Sequence, residues 1–225
     1  MLRQPRDTLR IRTQGIQMPA IKSLSETLAC NGCPMREKFP DHHFVPPQEP
    51  KNPAHDLVRL VIAEAPGERE SEVGEPLRGK AGQFFDKLLE DAGIQRDGLT
   101  ITNCLSCRPP DNIFPTDRRA WSSKSKRCYI SKEDGVKAVH HCKENHLDPL
   151  LRSRKWNRVD LVGGHALRIV AQKEGISEWR GRPLKLPSGH KAIAILHPSY
   201  LMTYNKSMRE NTLNDLRKSL EESAD

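Results

Sequence analysis

Leu57-Val58-Arg59-Leu60-Val61-Ile62-Ala63, followed by Glu64-Ala65-Pro66-Gly67, is the stretch whose reading decides the fold. The first seven residues form a compact apolar run of strand length, consistent with a buried strand, and the Pro-Gly pair ends it in a loop. The loop runs from Glu64 to Gly79. After it, Ala81, Phe84, Phe85, Leu88, Leu89 and Ala92 recur at the spacing of one helix face, and Gly93 is a natural stop. Strand, loop and helix then repeat. Leu99-Thr100-Ile101-Thr102 reads as a second strand. Val159 to Val162 is a third, followed by Gly163-Gly164 and a helix to about Glu174. Lys191 to Leu196 is a fourth, and Met208 to Glu221 a last helix with Leu213, Leu216 and Leu220 on one face. Strands alternating with helices predict an α/β fold, a single doubly wound domain with a four-stranded parallel sheet flanked by helices. Active sites of such sheets gather at the carboxyl ends of the strands. Three loops qualify: Glu64 to Gly79, Asn103 to Pro110, and His197 to Arg209.

The remaining segments are less regular. Residues 1–28 read as a basic N-terminal extension with little periodicity, and 29–225 as the domain proper. Pro40 to Pro53 reads as a loop. Residues 111–141 are basic and irregular, with Arg118, Arg119, Lys124, Lys126 and Arg127, and read as an inserted loop. His141 to Arg152 is a short helix candidate.

Composition narrows the class. Hydrophobic residues make up 36% of the 225 and charged residues 29%, so the chain is polar and large enough to bury its own core. No apolar run approaches the roughly 18 residues of a membrane span. The N-terminus carries Arg3, Arg6, Arg10 and Arg12 but lacks the apolar core of a secretory signal. A disordered or DNA-touching arm is expected there, with organelle targeting as the alternative. The expected setting is cytoplasmic and reducing, where cysteines bind metals rather than pair. A net charge of +8 suits a nucleic-acid partner, because Lys and Arg release counterions from phosphates; the plain alternative is a solvated basic surface.

The cysteines carry a second signal. Cys30/Cys33 and Cys104/Cys107 are two Cys-x-x-Cys pairs, and Cys128 and Cys142 make the choice of four ligands ambiguous. By spacing alone, the two pairs look like a structural zinc site. The loops add candidates of their own. Glycines 67, 74, 79 and 82 let backbone approach a ligand, and the last of them precede a helix whose amides could hold an anion. The bland reading is a flexible surface loop. His197, at the end of an apolar run, sits where an imidazole could donate to a developing negative charge; the bland reading is a structural histidine.

Taken in order, Glu64-Ala-Pro-Gly-Glu-Arg-Glu70, Gly74-x-Pro-x-x-Gly-Lys-Ala-Gly82, Thr102-Asn-x-x-x-Cys-Arg-Pro-Pro110 with Asn112, and His197-Pro-Ser-Tyr-Leu201 resemble the iron–sulfur uracil-DNA glycosylases, the family 4 branch of their superfamily. The resemblance runs from Cys30 to the final helix. It implies a monofunctional DNA glycosylase that hydrolyses the N-glycosidic bond of a flipped-out base, with DNA as partner, no membrane and a monomeric state. No Lys stands where Schiff-base chemistry would need one. It also implies a [4Fe–4S] cluster on Cys30, Cys33, Cys107 and Cys142, leaving Cys104 outside. His197 would donate to the leaving pyrimidine's oxygen. Asn103 would read the base's polar edge, and the backbone of the turn through Ala65 and Gly67 would add contacts. Glu64 or Glu70 would orient water or stabilise the cationic sugar. Leu201 and Met202 would form the apolar wedge that fills the gap after flipping, with Ser199, Lys206 and Arg209 near phosphates.

Two positions depart from the pattern. Where the family's Gly-x-Pro segment continues with a Phe that stacks on uracil, this chain has Leu77; the Arg after Asn112 is Ile113. Stacking on an aromatic is worth roughly 1–3 kcal/mol per base, so Leu77 should weaken uracil binding and admit a bulkier pyrimidine. The expected activity is therefore release of uracil or a modified pyrimidine. The alternatives are a glycosylase for a hydroxymethylated or glucosylated base, acting in phage defence or phage DNA metabolism, and a non-catalytic, metal-stapled nucleic-acid-binding protein.

Overall fold

The structure is a computed structural model that describes residues 30–51, 58–204 and 206–221, with side chains through Lys218. The basic extension at 1–28, Leu57 and the side chain of Leu220 lie outside the described residues.

The sheet has five strands: β1 (Arg59–Ala63), β2 (Leu99–Asn103), β3 (Arg158–Val162), β4 (Pro183–Lys185) and β5 (Lys191–Ile195), in the spatial order β2-β1-β3-β5-β4. Strands β2, β1, β3 and β5 are parallel, as the alternation of strands and helices predicts. β4 corrects the expectation of a four-stranded sheet: it is an antiparallel edge strand, three residues long, paired with β5. So short a strand, with Pro183 at its start, carries no apolar run to mark it. The registers Ala63↔Asn103 and Val162↔Ile195 bring the carboxyl ends of neighbouring strands level with one another.

Both faces of the sheet are covered, which explains the unbroken apolar run Leu60 to Ala63 that completes β1. Alternate residues point to opposite faces. Leu60, Ile62, Val159, Leu161, Ala192 and Ala194 pack on one face, and Val61, Ala63, Ile101, Ile193 and Ile195 on the other. The first face is covered by α5 (Lys132–Cys142), α6 (Asp148–Arg152) and α7 (Gly164–Ala171), through Val139, Leu150, Leu151 and Leu167. The second is covered by α3 (Lys80–Asp91), α9 (Pro198–Thr203) and α10 (Arg209–Glu221), through Phe85, Leu88, Leu89, Leu201, Leu213 and Leu216. Each such apolar side chain contributes roughly 1.5–3 kcal/mol by leaving water. The sheet interior also holds a charge pair, Arg59 on β1 with Asp160 on β3, both buried.

The short helices α1 (Pro34–Lys38), α2 (Glu68–Val73), α4 (Arg118–Trp121) and α8 (Ile176–Trp179) complete the set. Two loops expected to be irregular contain helix. The Glu64–Gly79 loop holds α2, and the basic 111–141 segment holds α4 and most of α5, which Ser131 caps by accepting from the Asp134 N–H. From α5 a π-helical turn at Lys143–Leu147 leads straight into α6, so the helix expected from His141 begins nine residues earlier, at Lys132. No helix among the described residues is long and apolar enough to cross a membrane.

Candidate active site

The carboxyl ends of the parallel strands bring Glu64, Asn103 and His197 to one end of the sheet, with Gly163 between the first and last. Gly163 has φ +96, and a Cβ there would stand 2.4 Å from the Glu64 Oε1 and 3.1 Å from the His197 Cβ. Only glycine fits that gap, and its left-handed backbone is one that L side chains rarely adopt.

Glu64 follows β1. Its carbonyl accepts from the Leu105 N–H at 3.1 Å, and its carboxylate accepts from the backbone N–H of His165. Burial raises its pKa to about 7, against smaller downward pulls from that N–H and from Arg168. At neutral pH it is thus poised between its two forms.

His197 caps α9, and its Nδ1 accepts from the Ser199 N–H at 3.2 Å and lies 2.7 Å from the Ser199 Oγ. Burial, reinforced by His165 nearby and opposed by Glu70, lowers its pKa to about 4. The ring is therefore neutral near pH 7, and with Nδ1 accepting, its proton sits on Nε2. Asn103 ends β2. It is buried, and its Nδ2 has no hydrogen-bond partner among the described residues. A buried amide donor left unpaired costs free energy unless a ligand meets it.

Glu70 is placed differently from Glu64. Its Oε1 accepts from the Arg78 and Gly79 amides, both at 2.7 Å, and its Oε2 from the Gly67 amide at 3.0 Å. Three backbone donors occupy the carboxylate, so Glu70 organises the glycine-rich loop, and the Gly67 amide expected to touch a base is already taken. Ala65 is half-buried in the same turn. Leu77 is buried against the core with φ +51, a backbone conformation unusual for leucine, and its carbonyl closes on Gly82, where a Cβ would meet it at 2.0 Å.

The sequence did not mark out the neighbours that Glu64 acquires from α7 and the 111–141 segment. The His165 ring stacks on Phe114 with centroids 4.1 Å apart at 15°, and the Arg168 guanidinium reaches both His165 Nδ1, at 3.1 Å, and Thr116 Oγ1. Phe114, Thr116 and Asp117 belong to the basic segment read from the sequence as an inserted loop. Arg119, bonded to Asp117, also lies within electrostatic range of Tyr204 on the far side. The one signal available was position: His165 stands just past the carboxyl end of β3.

Of the two residues expected to form the apolar wedge, Leu201 is fully buried in the core on the inner face of α9, and Met202 is only partly exposed. Exposed apolar surface at this rim comes from Tyr200 and Tyr204, whose rings lie 5.8 Å apart. Ser199 is engaged with His197. Arg209 is paired with Asp91, while Lys206 is exposed.

Cys30, Cys33 and Cys107 share one small cluster, and Cys142 lies between it and the main core. Cys33 is buried beside Cys30 and Cys107 in a small apolar cluster with Met35, Ile113 and Ala138. Cys142 at the end of α5 adjoins them. Burial, with the three other thiols behind it, pushes the Cys107 thiol far above its ordinary value. Burial likewise pushes Cys142 up to about 12, opposed by the Ser106 N–H that reaches its Sγ at 3.4 Å. No two cysteines are joined by a disulfide, and His146 Nε2 lies 3.5 Å from Cys30 Sγ. Cys104 lies in the main core, which Cys142 also borders, and its nearest titratable neighbours are Glu64 and then Cys142. Among the described residues no three acidic, His or Cys side chains are gathered as a single metal ion would need. Cys30, Cys33, Cys107 and Cys142 neighbour one another, Cys33 and Cys142 buried and the other two half-buried, and four such thiols would fit a multinuclear iron–sulfur centre.

Comparison with known proteins agrees with this geometry. The family model described as the uracil DNA glycosylase superfamily matches residues 50–221. A type-4 uracil-DNA glycosylase of Thermotoga maritima is 30% identical over 169 residues, covering 72% of this chain and 76% of that protein. One from Archaeoglobus fulgidus is 29% identical over 196 residues, 86% of this chain and 87% of the relative. Another, from Sulfurisphaera tokodaii, is 26% identical over 168 residues, 71% and 67% respectively.

Proposed function

Since the chain belongs to the uracil DNA glycosylase superfamily and is a DNA glycosylase of the type-4 kind, we propose that it hydrolyses the N-glycosidic bond of uracil or a modified pyrimidine in DNA. The observation that carries this reading is the Asn103 amide nitrogen, buried without a partner among the described residues at the same end of the sheet as His197 and Glu64. A flipped-out pyrimidine supplies what Asn103 lacks, an acceptor on its polar edge.

In the reaction, the water oxygen bonds to C1′ of the sugar as the C1′–N1 bond breaks and its electron pair leaves with the base. The Nε2–H of His197 donates to the oxygen on which the leaving anion gathers charge; one such donor is worth roughly 2.7–4 kcal/mol in a dry site. Glu64 receives the water proton and, while ionised, faces the positive charge that develops on the sugar. The departed base takes a proton from solvent, so an abasic site and a neutral pyrimidine result. Glu70 and Ser199 act through others, Glu70 by shaping the 67–79 loop and Ser199 by fixing the His197 tautomer. Leu77 leaves the base without the aromatic platform of the family pattern, which supports acceptance of a C5-substituted pyrimidine beside uracil. Tyr200 and Tyr204 offer stacking surface to bases next to the gap, and Lys206 a cation for a phosphate.

Cys30, Cys33, Cys107 and Cys142 would hold a [4Fe–4S] cluster. Once bound, it supplies a covalent tie among the segment before α1, the strap after β2 and the end of α5. We place the extension at 1–28 and the whole protein in the cytoplasm, as a monomer acting on DNA. A base-release assay on oligonucleotides carrying uracil, 5-hydroxymethyluracil, 5-hydroxymethylcytosine or its glucosylated form tests the reading. Release of at least one is expected, and release of none by cluster-loaded protein would refute it.

A further inference from the structure

His165 opens α7 at the end of β3, the strand that lies between β1, which leads to Glu64, and β5, which leads to His197. Its ring is fixed on two sides: Phe114 covers one face, and Arg168 reaches Nδ1. A guanidinium only donates, so Nδ1 accepts. Thr116 Oγ1 accepts from the same Arg168 nitrogen. The guanidinium thus has two neutral acceptors that hold it, while its charge still bears on Glu64 and on Cys104. No ion pair joins Arg168 to Glu64 among the described residues. The carboxylate instead accepts from the His165 backbone N–H.

We propose that His165 is a positioning residue that, with Thr116, holds the Arg168 guanidinium off the Glu64 carboxylate. The inference rests on the reading of Glu64 as the group that receives the water proton. Direct pairing would occupy the carboxylate oxygens and set a cation beside the sugar as it becomes positive. An opposite charge at contact also lowers a carboxyl pKa by roughly 1–3 units, which weakens it as a base. The groups that face Glu64 are the Cys104 thiol at the end of β2, the His165 N–H and Arg168 on α7, Asp117 before α4, and His197 across Gly163. Arg168 is the single cation among them at neutral pH, so where it is held decides the state of Glu64.

Three variants separate positioning from simple support. His165→Phe keeps a ring against Phe114 and removes the acceptor. Its kcat should fall roughly ten- to hundredfold, with KM within about twofold and the acid limb of the pH–rate profile moved to lower pH. His165→Gln, which keeps an acceptor for Arg168, should stay near the wild-type rate. Adding Arg168→Gln to His165→Phe should restore most of the lost rate, because the damage is then the freed guanidinium. Should His165→Phe fail to fold, Thr116→Val removes the second acceptor and should move kcat and the acid limb the same way. A wild-type enzyme that releases base, beside a double variant as slow as His165→Phe alone, would overturn this inference and leave the glycosylase reading standing. A wild type that releases no base would overturn both.

Discussion

The backbone N–H of Ser199 lies 3.2 Å from His197 Nδ1 and donates to it, which leaves the imidazole proton on Nε2. Burial keeps the ring neutral, so His197 offers a donor and brings no positive charge to the sugar. His197→Ala should therefore lower kcat by roughly 10²–10³-fold with little change in iron content or thermal midpoint. A variant that cleaves at the wild-type rate would remove His197 from the leaving-group role.

Glu64 makes the reaction depend on pH. Its pKa in the folded protein is raised to about 7, and it must be ionised to accept a proton. The rate should rise with pH through about 7 and level off above it, while His197, with its pKa lowered to about 4, stays neutral across that range. Glu64→Gln should abolish the rise along with most of the rate. A profile flat from pH 5 to 8 in the wild type would contradict the assignment.

Glu70 predicts a different phenotype. Its carboxylate holds the Gly67, Arg78 and Gly79 amides, and removing it strands three donors of the loop that leads into α3. Each buried unsatisfied group costs roughly 1–3 kcal/mol, partly relieved by water, so Glu70→Ala should lose about 3 kcal/mol of stability in chemical denaturation. A variant as stable as the wild type but inactive would instead place Glu70 in the chemistry.

On α9 the inner and outer faces should separate. Leu201→Ala should cost about 2–5 kcal/mol of stability, as for other large core side chains, without weakening DNA binding in the folded fraction. Tyr204→Ala should leave stability unchanged and weaken binding to DNA that contains a gap or an abasic site. The opposite pattern, read by denaturation and by fluorescence anisotropy, would restore Leu201 as the wedge.

Cys142→Ser should lose iron and visible colour, whereas Cys104→Ser should keep both. Both border the main core, but Cys142 has Cys33 and Cys30 as neighbours, whereas the first neighbour of Cys104 is Glu64. Iron loss from the Cys104 variant with retention in the Cys142 variant would reverse the ligand set.

The parallel strands were legible because a strand covered on both faces is apolar at every position, as Leu60 to Ala63 are. The α3 face was legible because Phe85, Leu88 and Leu89 repeat at helical spacing. Strand β4, with only Leu184 buried, left no such pattern. The helix α5 was obscured because its inward face is small, Gly135 and Ala138 with Val139, amid Lys, Glu and His. Proximity of Glu64, Asn103 and His197 followed from their places at strand ends. What each side chain does there did not: nothing in Glu64 and Glu70 as letters tells which one is clamped by three amides. Leu201 and Tyr204 were likewise indistinguishable until the turn of α9 was seen. The Phe114–His165 stack joins residues 51 positions apart, a contact that only the folded chain reveals.

Base excision by Asn103, His197 and Glu64 is measured most directly as release of free pyrimidine from a single-uracil oligonucleotide and from its 5-hydroxymethyl counterparts. The wild type should release base and leave an intact abasic strand that breaks only on alkaline treatment, and Asn103→Ala should release it far more slowly. No base released from any of these substrates by folded, iron-loaded protein would contradict the account.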